Sequence, residues 1–194
     1  MARTNPETRI RLVSTAADML RRRGLNATSI RELAKAAEAP LGSTYHYFPD
    51  GKKQVVLEAL EFVGQKVSAM LQDAIQKDAV DGVQTFLGLW SGILQETEFR
   101  AGCPVISVAM EEATTEDIEL MHREASNIFN RWQAILRDGF VDDGIEATQA
   151  EQLATMVVAA SEGALAMCRA EKSLKPLENV TAQLLVLIRN AKGQ

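Results

Sequence analysis

Apolar residues recur at steps of three and four along almost the whole chain. Nowhere do they alternate with period two over a length that would make a sheet. That pattern predicts an all-α fold, and start and stop signals divide it. Asn5 as N-cap, Pro6 at the first helical position and Glu7 in the first turn open a first helix. Ile10, Val13, Ala17 and Leu20 give it one apolar face, and Gly24 ends it. A second helix opens at Thr28 or Ser29, with Ile30, Leu33, Ala34 and Ala37 on one side. Pro40 opens a short third helix, which Phe48-Pro49-Asp50-Gly51 breaks. Three short helices, the last two tightly joined, make a helix-turn-helix unit. Further helices are predicted over roughly 52–77, 80–97, 104–110, 114–138, 148–172 and 176–190. Thr114 with Asp117 and Thr148 with Glu151 serve as capping boxes, and Gly139 as a terminator. The predicted division is residues 1–51 for the helix-turn-helix domain and 52–194 for a larger helical domain.

At 194 residues and 46% apolar, the chain can bury a core without disulfide or metal. Sparse Pro and Gly and the lack of a fixed repeat argue against disorder and solenoids. No run of about 18 apolar residues is present, so no membrane span is predicted. The N-terminus lacks the apolar core of a secretion signal. Cys103 and Cys168 therefore read as reduced thiols, and the expected location is the cytoplasm. The net charge is −5, but it is unevenly spread. Residues 1–53 hold ten Lys and Arg against five Asp and Glu, and the rest hold eleven against twenty-one. A basic module on an acidic body suits phosphate contact, although an ordinary solvated face is the bland alternative.

Both tyrosines sit in Tyr45-His46-Tyr47-Phe48. On a helix from Pro40, Leu41, Gly42, Ser43, Tyr45 and His46 lie on or near one exposed surface, while Phe48 turns inward with Leu33 and Leu20. Gly42 keeps the backbone close to whatever docks, and Ser43, Tyr45 and His46 can donate to phosphate or base edges. Lys52 and Lys53 stand at a helix N-terminus, where the dipole already repels cations and Asp50 can offset part of the cost. A phosphate there offsets more. Thr28 can offer a similar contact, and Arg3, Arg9 and Arg11 further charge. The competing reading is a structural corner with a buried aromatic cluster.

Three stretches together resemble the TetR family of bacterial transcriptional repressors: Thr28-Ser29-Ile30-Arg31-Glu32-Leu33-Ala34-Lys35-Ala36-Ala37, Gly42-Ser43-Thr44-Tyr45-His46-Tyr47-Phe48, and Lys52 with the apolar helix after it. Phe48-Pro49-Asp50-Gly51-Lys52 and Gly102-Cys103-Pro104-Val105-Ile106-Ser107-Val108-Ala109-Met110-Glu111 further resemble the branch of lincomycin- and flavonoid-responsive repressors. Glu38 stands where the family usually has Gly, and Thr44 where an aliphatic residue is common. The resemblance implies double-stranded DNA as partner. Thr28, Ser43, Tyr45, His46 and Lys52 would then contact mainly its backbone, with Leu41 and Gly42 near bases. Ser29 and Arg31 complete the candidate DNA-binding set, Arg31 for a base if it reaches one. Exposed recognition positions without Arg, Asn or Gln imply reliance on apolar contact and DNA shape.

In the last two helices Leu153, Met156, Val157, Ala160, Ala164 and Met167 form one stripe, and Leu177, Val180, Leu184 and Leu187 a matching one. So wide an apolar surface needs two neighbours. A single-chain core satisfies that, and so does a homodimer through these helices, which resembles the family's dimer and calls for a palindromic operator. Phe62, Phe86, Trp90, Met110, Phe129 and Trp132 are each most simply core, yet together they can line an apolar cavity. Few inward cations accompany them, so the expected effector is small and neutral or aromatic, not anionic. Glu162 is either a hydrogen-bond partner in that cavity or an exposed residue. The acidic run Glu111–Glu119 reads as a solvated face, and no metal or cofactor is expected. With only His46 and His122 and no nucleophile–base pattern, catalysis is not expected. The reading is a ligand-responsive repressor released by its effector. A non-specific or constitutive DNA-binding protein without inducer stays open.

Overall fold

The computed structural model describes residues 6–193, so Arg3 and the predicted cap Asn5 lie outside the described residues. Among those described there are nine α-helices and no strand. They are α1 (Pro6–Arg23), α2 (Ile30–Ala36), α3 (Leu41–Tyr47), α4 (Gly51–Ile75), α5 (Ala79–Glu96), α6 (Pro104–Ala109), α7 (Glu116–Asp142), α8 (Ala147–Glu171) and α9 (Lys175–Lys192). They form two compact units. The first holds the described residues up to Gly64 together with Pro104–Ile128, and the second Gln65–Cys103 and the chain from Phe129 onward.

In the first unit α1 ends as its sequence requires. Gly24 takes φ +76° and its N–H donates to the Leu20 carbonyl at 3.0 Å. The buried face of α1 is Leu12, Val13, Ala16, Ala17, Met19 and Leu20. Ile10, predicted to belong to it, is 59% exposed, because burial on this helix begins only at Leu12. Leu33, Phe48, Val56 and Leu60 complete the core. α6 packs on α1, where the Ser107 hydroxyl donates to the Leu20 carbonyl at 3.4 Å.

Three helix boundaries depart from expectation, those at Gly139 and Glu146 in the second unit and that at Thr115 in the first. Gly139 does not end α7, which runs to Asp142 and closes with Gly144 at φ +89°. The Gly139 position is instead one of close approach, since a Cβ there would lie 2.2 Å from Ile75 Cγ1. At Gly82 a Cβ would lie 2.3 Å from Ile75 Cδ1. Ile75 is thus clamped between two glycines on different helices. Thr115, not Thr114, caps α7, accepting from Ile118 N–H at 3.3 Å. Glu146, not Thr148, caps α8, accepting from Thr148 and Gln149 N–H at 2.9 and 3.0 Å. Glutamate is an uncommon N-cap, but its carboxylate meets two orphan donors at the positive end of the dipole.

α8 packs on α9 and α5. It is long and apolar enough to cross a bilayer by composition alone, but it is a partly buried helix of the second unit and carries Glu162 in its middle. Lys192 closes the end of α9 by donating to Asp78 Oδ2 at 2.6 Å and Asp143 Oδ2 at 2.8 Å. The same carboxylates accept from Val80 and Ala79 N–H at the start of α5. The Lys192 hydrogen bond holds the Asp78 carboxyl below its ordinary range.

Substituting Gly139 or Gly82 by Ala is expected to destabilise by about 1–3 kcal/mol through overpacking. Gly88, with open space around it, should gain up to about 1 kcal/mol as Ala from helix propensity. Urea denaturation of the three variants checks the contrast.

Candidate nucleic-acid interface and effector site

α2 begins at Ser29, whose hydroxyl accepts from Glu32 N–H at 3.2 Å. It ends in a Schellman motif: Ala39 N–H donates to the Ala34 carbonyl at 2.9 Å and Glu38 N–H to the Lys35 carbonyl at 3.3 Å. The motif requires a left-handed residue, and Glu38 supplies it at φ +51°. Pro40 then starts α3. Thr44, fully buried, donates its hydroxyl back to the Pro40 carbonyl at 3.2 Å, so a polar residue is accommodated at an apolar position.

The side chains of α3 segregate sharply. Thr44, Tyr47 and the following Phe48 are buried, and the Arg9 guanidinium lies 5.4 Å over the Phe48 ring. Leu41, Gly42, Ser43, Tyr45 and His46 are exposed, with Leu41 and Tyr45 among the few large apolar side chains outside the core. Ser29 and Arg31 are also exposed, and Lys52 half-buried. Thr28 differs from the expectation. It is buried, its hydroxyl donates to the Gly24 carbonyl at 3.0 Å and its N–H to Leu25. Those bonds close the turn before α2 and occupy the group expected to face phosphate.

Charge is partly consumed inside the unit. Arg9 pairs with Glu58 and donates to the Tyr47 carbonyl. Lys53 pairs with Asp117 at 3.0 Å, which raises its pKa. At the start of α4, the Gln54 side-chain oxygen accepts from Asp50 N–H at 3.2 Å, satisfying one donor at that helix start. Lys52 and Arg31 have no ion pair among the described residues and remain for an outside anion.

The candidate effector residues separate. Phe86, Trp90 and Trp132 are buried in the second unit with Phe129 half-buried beside them, ring centroids 5.8–6.3 Å apart in edge-to-face contacts. Phe62 and Met110 belong to the first unit. Met110 is 77% exposed, just past the end of α6, and lines no core. Of the predicted dimer stripes, Leu153, Val157, Ala164, Leu177 and Leu184 are buried within the chain, and Ala160 and Val180 are half-buried. Met156, Met167 and Leu187, with Val186, are exposed. Sequence reasoning left Glu162 undecided. It is 8% exposed on α8, and both carboxylate oxygens lack a hydrogen-bond partner of normal geometry. Burial pushes its pKa from 4.5 to about 7, only partly opposed by the nearby Cys103 thiol. Both cysteines are buried.

Glu38→Gly should stabilise by up to about 1 kcal/mol by relieving the left-handed penalty. Glu162 holds its proton more tightly folded than unfolded, so the fold should lose stability as pH rises from about 4.5 to about 7. Glu162→Gln should remove a slope of roughly 3 kcal/mol across that window, as read by urea midpoints at several pH values.

Residues 12–59 match the family model for bacterial regulatory proteins of the tetR family. Residues 79–183 match the C-terminal domain model for LmrA/YxaF-like transcriptional regulators. The HTH-type transcriptional regulator Rv0196 of Mycobacterium tuberculosis (strain ATCC 25618 / H37Rv) is 35% identical over 183 residues, 93% of each chain. YxaF of Bacillus subtilis (strain 168), also an HTH-type regulator, is 28% identical, covering 94% of this chain and 96% of its own. A crystal structure of the regulatory protein TetR from Rhodobacter sphaeroides superposes with TM-score 0.82 at 21% identity, covering 93% of this chain and 98% of that one.

Proposed function

The chain belongs to the TetR family of bacterial transcriptional regulators, and on that premise we propose that it is a ligand-responsive repressor binding a palindromic operator as a homodimer. Its relatives are HTH-type transcriptional regulators, not enzymes. The observation that carries the DNA-reading proposal is the division of α3, with Thr44, Tyr47 and Phe48 inward and Leu41, Gly42, Ser43, Tyr45 and His46 outward.

In this reading residues 1–51 are the reading head. Ser43, Tyr45, His46 and Lys52 hold phosphates, and Leu41 and Gly42 approach bases. Ser29 and Arg31 flank them, and Thr28 acts by shaping the turn. Residues 52–194 supply the dimer and the effector site. Met156, Met167, Val186 and Leu187, exposed on α8 and α9, are the surface that a second copy would cover. The effector is small and neutral or aromatic, and it favours a conformer whose two reading heads no longer match the operator spacing. An effector with equal affinity for both conformers would release nothing. The expected workplace is the cytoplasm, where the DNA is.

Fluorescence anisotropy on a duplex from the chain's own upstream region, against a scrambled duplex at one near-physiological salt, tests the reading. The expected preference is about 10³-fold or more. Equal weak binding favours a non-specific role, and no binding at low salt overturns the repressor reading. Lys52→Ala should weaken binding to all sequences alike and lower the salt slope by about 1. Met167→Glu with Leu187→Glu should yield monomers in sedimentation and lose operator affinity.

A further inference from the structure

Four of the five buried side-chain atoms without a hydrogen-bond partner among the described residues belong to the second unit. They are Ser68 Oγ on α4, Trp90 Nε1 on α5 and both oxygens of Glu162 on α8. Glu162 is the most costly of these. A carboxyl so deeply buried is ordinarily paired, hydrogen-bonded or metal-bound. No cluster able to hold a metal occurs among the described residues.

A carboxylate offers about four acceptor sites. Beside it stands one weak donor, the Cys103 thiol. Ionised, Glu162 itself is therefore rich in acceptors and short of donors, while the Trp90 indole N–H and the Ser68 hydroxyl of the same unit are donors without a partner. A ligand carbonyl or ether could accept the single proton of the neutral carboxyl but would leave its second oxygen unmet, and a ligand carboxylate would add a like charge. A water or a hydroxyl would add donors but leave the buried charge uncancelled. A protonated amine supplies three donors and the opposite charge. The same unit holds the aromatic group of Phe86, Trp90, Phe129 and Trp132, and aromatic faces favour both aromatic bodies and cations.

We propose that Glu162, with the Cys103 thiol beside it, anchors an effector that combines an aromatic body with a protonated amine. The inference rests on the ligand-responsive reading and narrows its effector class. On binding, the amine arrives protonated and Glu162 gives its own proton to solvent, so the pair forms as ammonium and carboxylate.

The test is calorimetric titration of the full chain with aromatic primary amines of increasing size, from benzylamine to 1-naphthylmethylamine and tryptamine. Each is run beside the alcohol that replaces its amino group with hydroxyl, and the same compounds are scored for release of the upstream duplex. At least one amine should bind about tenfold or more tighter than its alcohol and release the duplex. Glu162→Gln should reduce that amine to the level of its alcohol while leaving the alcohol within about twofold. Should Glu162→Gln fail to fold, Glu162→Leu carries the same comparison, and it should also raise the melting midpoint because it removes a buried carboxyl. Equal binding of amines and alcohols, no amine binding, or an amine preference that survives in the variants overturns the inference. If neutral aromatics release the duplex regardless of residue 162, the inference falls and the ligand-responsive reading stands. If no compound moves either the duplex or the melting midpoint, both fall.

Discussion

Phe48 lies fully buried beneath the Arg9 guanidinium, one residue beyond a helix only seven residues long. A helix of that length has almost no stability of its own in water. α3 persists because Phe48, Tyr47 and Thr44 are held against a core that includes Leu12, Leu20 and Leu33. Fixing that inner side fixes the outer one through the helical period, which is why Leu41, Gly42, Ser43, Tyr45 and His46 emerge together. The Schellman turn at Glu38 sets the angle at which α3 leaves α2, and a non-glycine residue holds the left-handed conformation there. The same core constrains the electrostatics. Arg9 and Lys53 are committed to Glu58 and Asp117, so the basic residues of the first unit overstate the charge it can offer an outside anion.

The second unit is organised by close approach. Ile75 occupies space that Gly82 and Gly139 leave open, which brings the end of α4, the start of α5 and the end of α7 together. Lys192 then ties the last turn of α9 to Asp78 and Asp143, which also receive the first N–H groups of α5. Helix starts that would leave orphan donors are thereby satisfied by side chains from elsewhere in the unit.

Against that well-satisfied background Glu162 stands out. The helix around it is apolar, and Val158 and Leu165 beside it are buried. Replacing a buried, unsatisfied charge by an apolar residue is commonly neutral or stabilising. A carboxyl kept at such a position is a local rule broken at the expense of stability, as functional sites often are. Its elevated pKa is a consequence of the same burial.

Periodicity and punctuation made the helices legible in the sequence. Pro6, Gly24, Ser29 and Pro40 act through backbone geometry local to a few residues, so their effects needed no tertiary knowledge. The outward face of α3 was equally legible, because the aromatic and apolar positions of one short helix have a single way to be buried. Gly139 misled because a glycine that permits a close contact looks like one that ends a helix. Thr28 misled because a hydroxyl that closes a turn looks like one that awaits phosphate. Met110 and Glu162 are residues whose exposure depends on partners distant in the chain. The sequence by itself determined which segments are helices and which face of α3 turns outward, since both follow from spacing along one element. Only the tertiary structure decided that Glu162 is buried without a normal partner, that Lys53 is paired and that Met167 and Leu187 are bare. Those outcomes depend on which helices meet, and spacing within a helix carries no record of its neighbours.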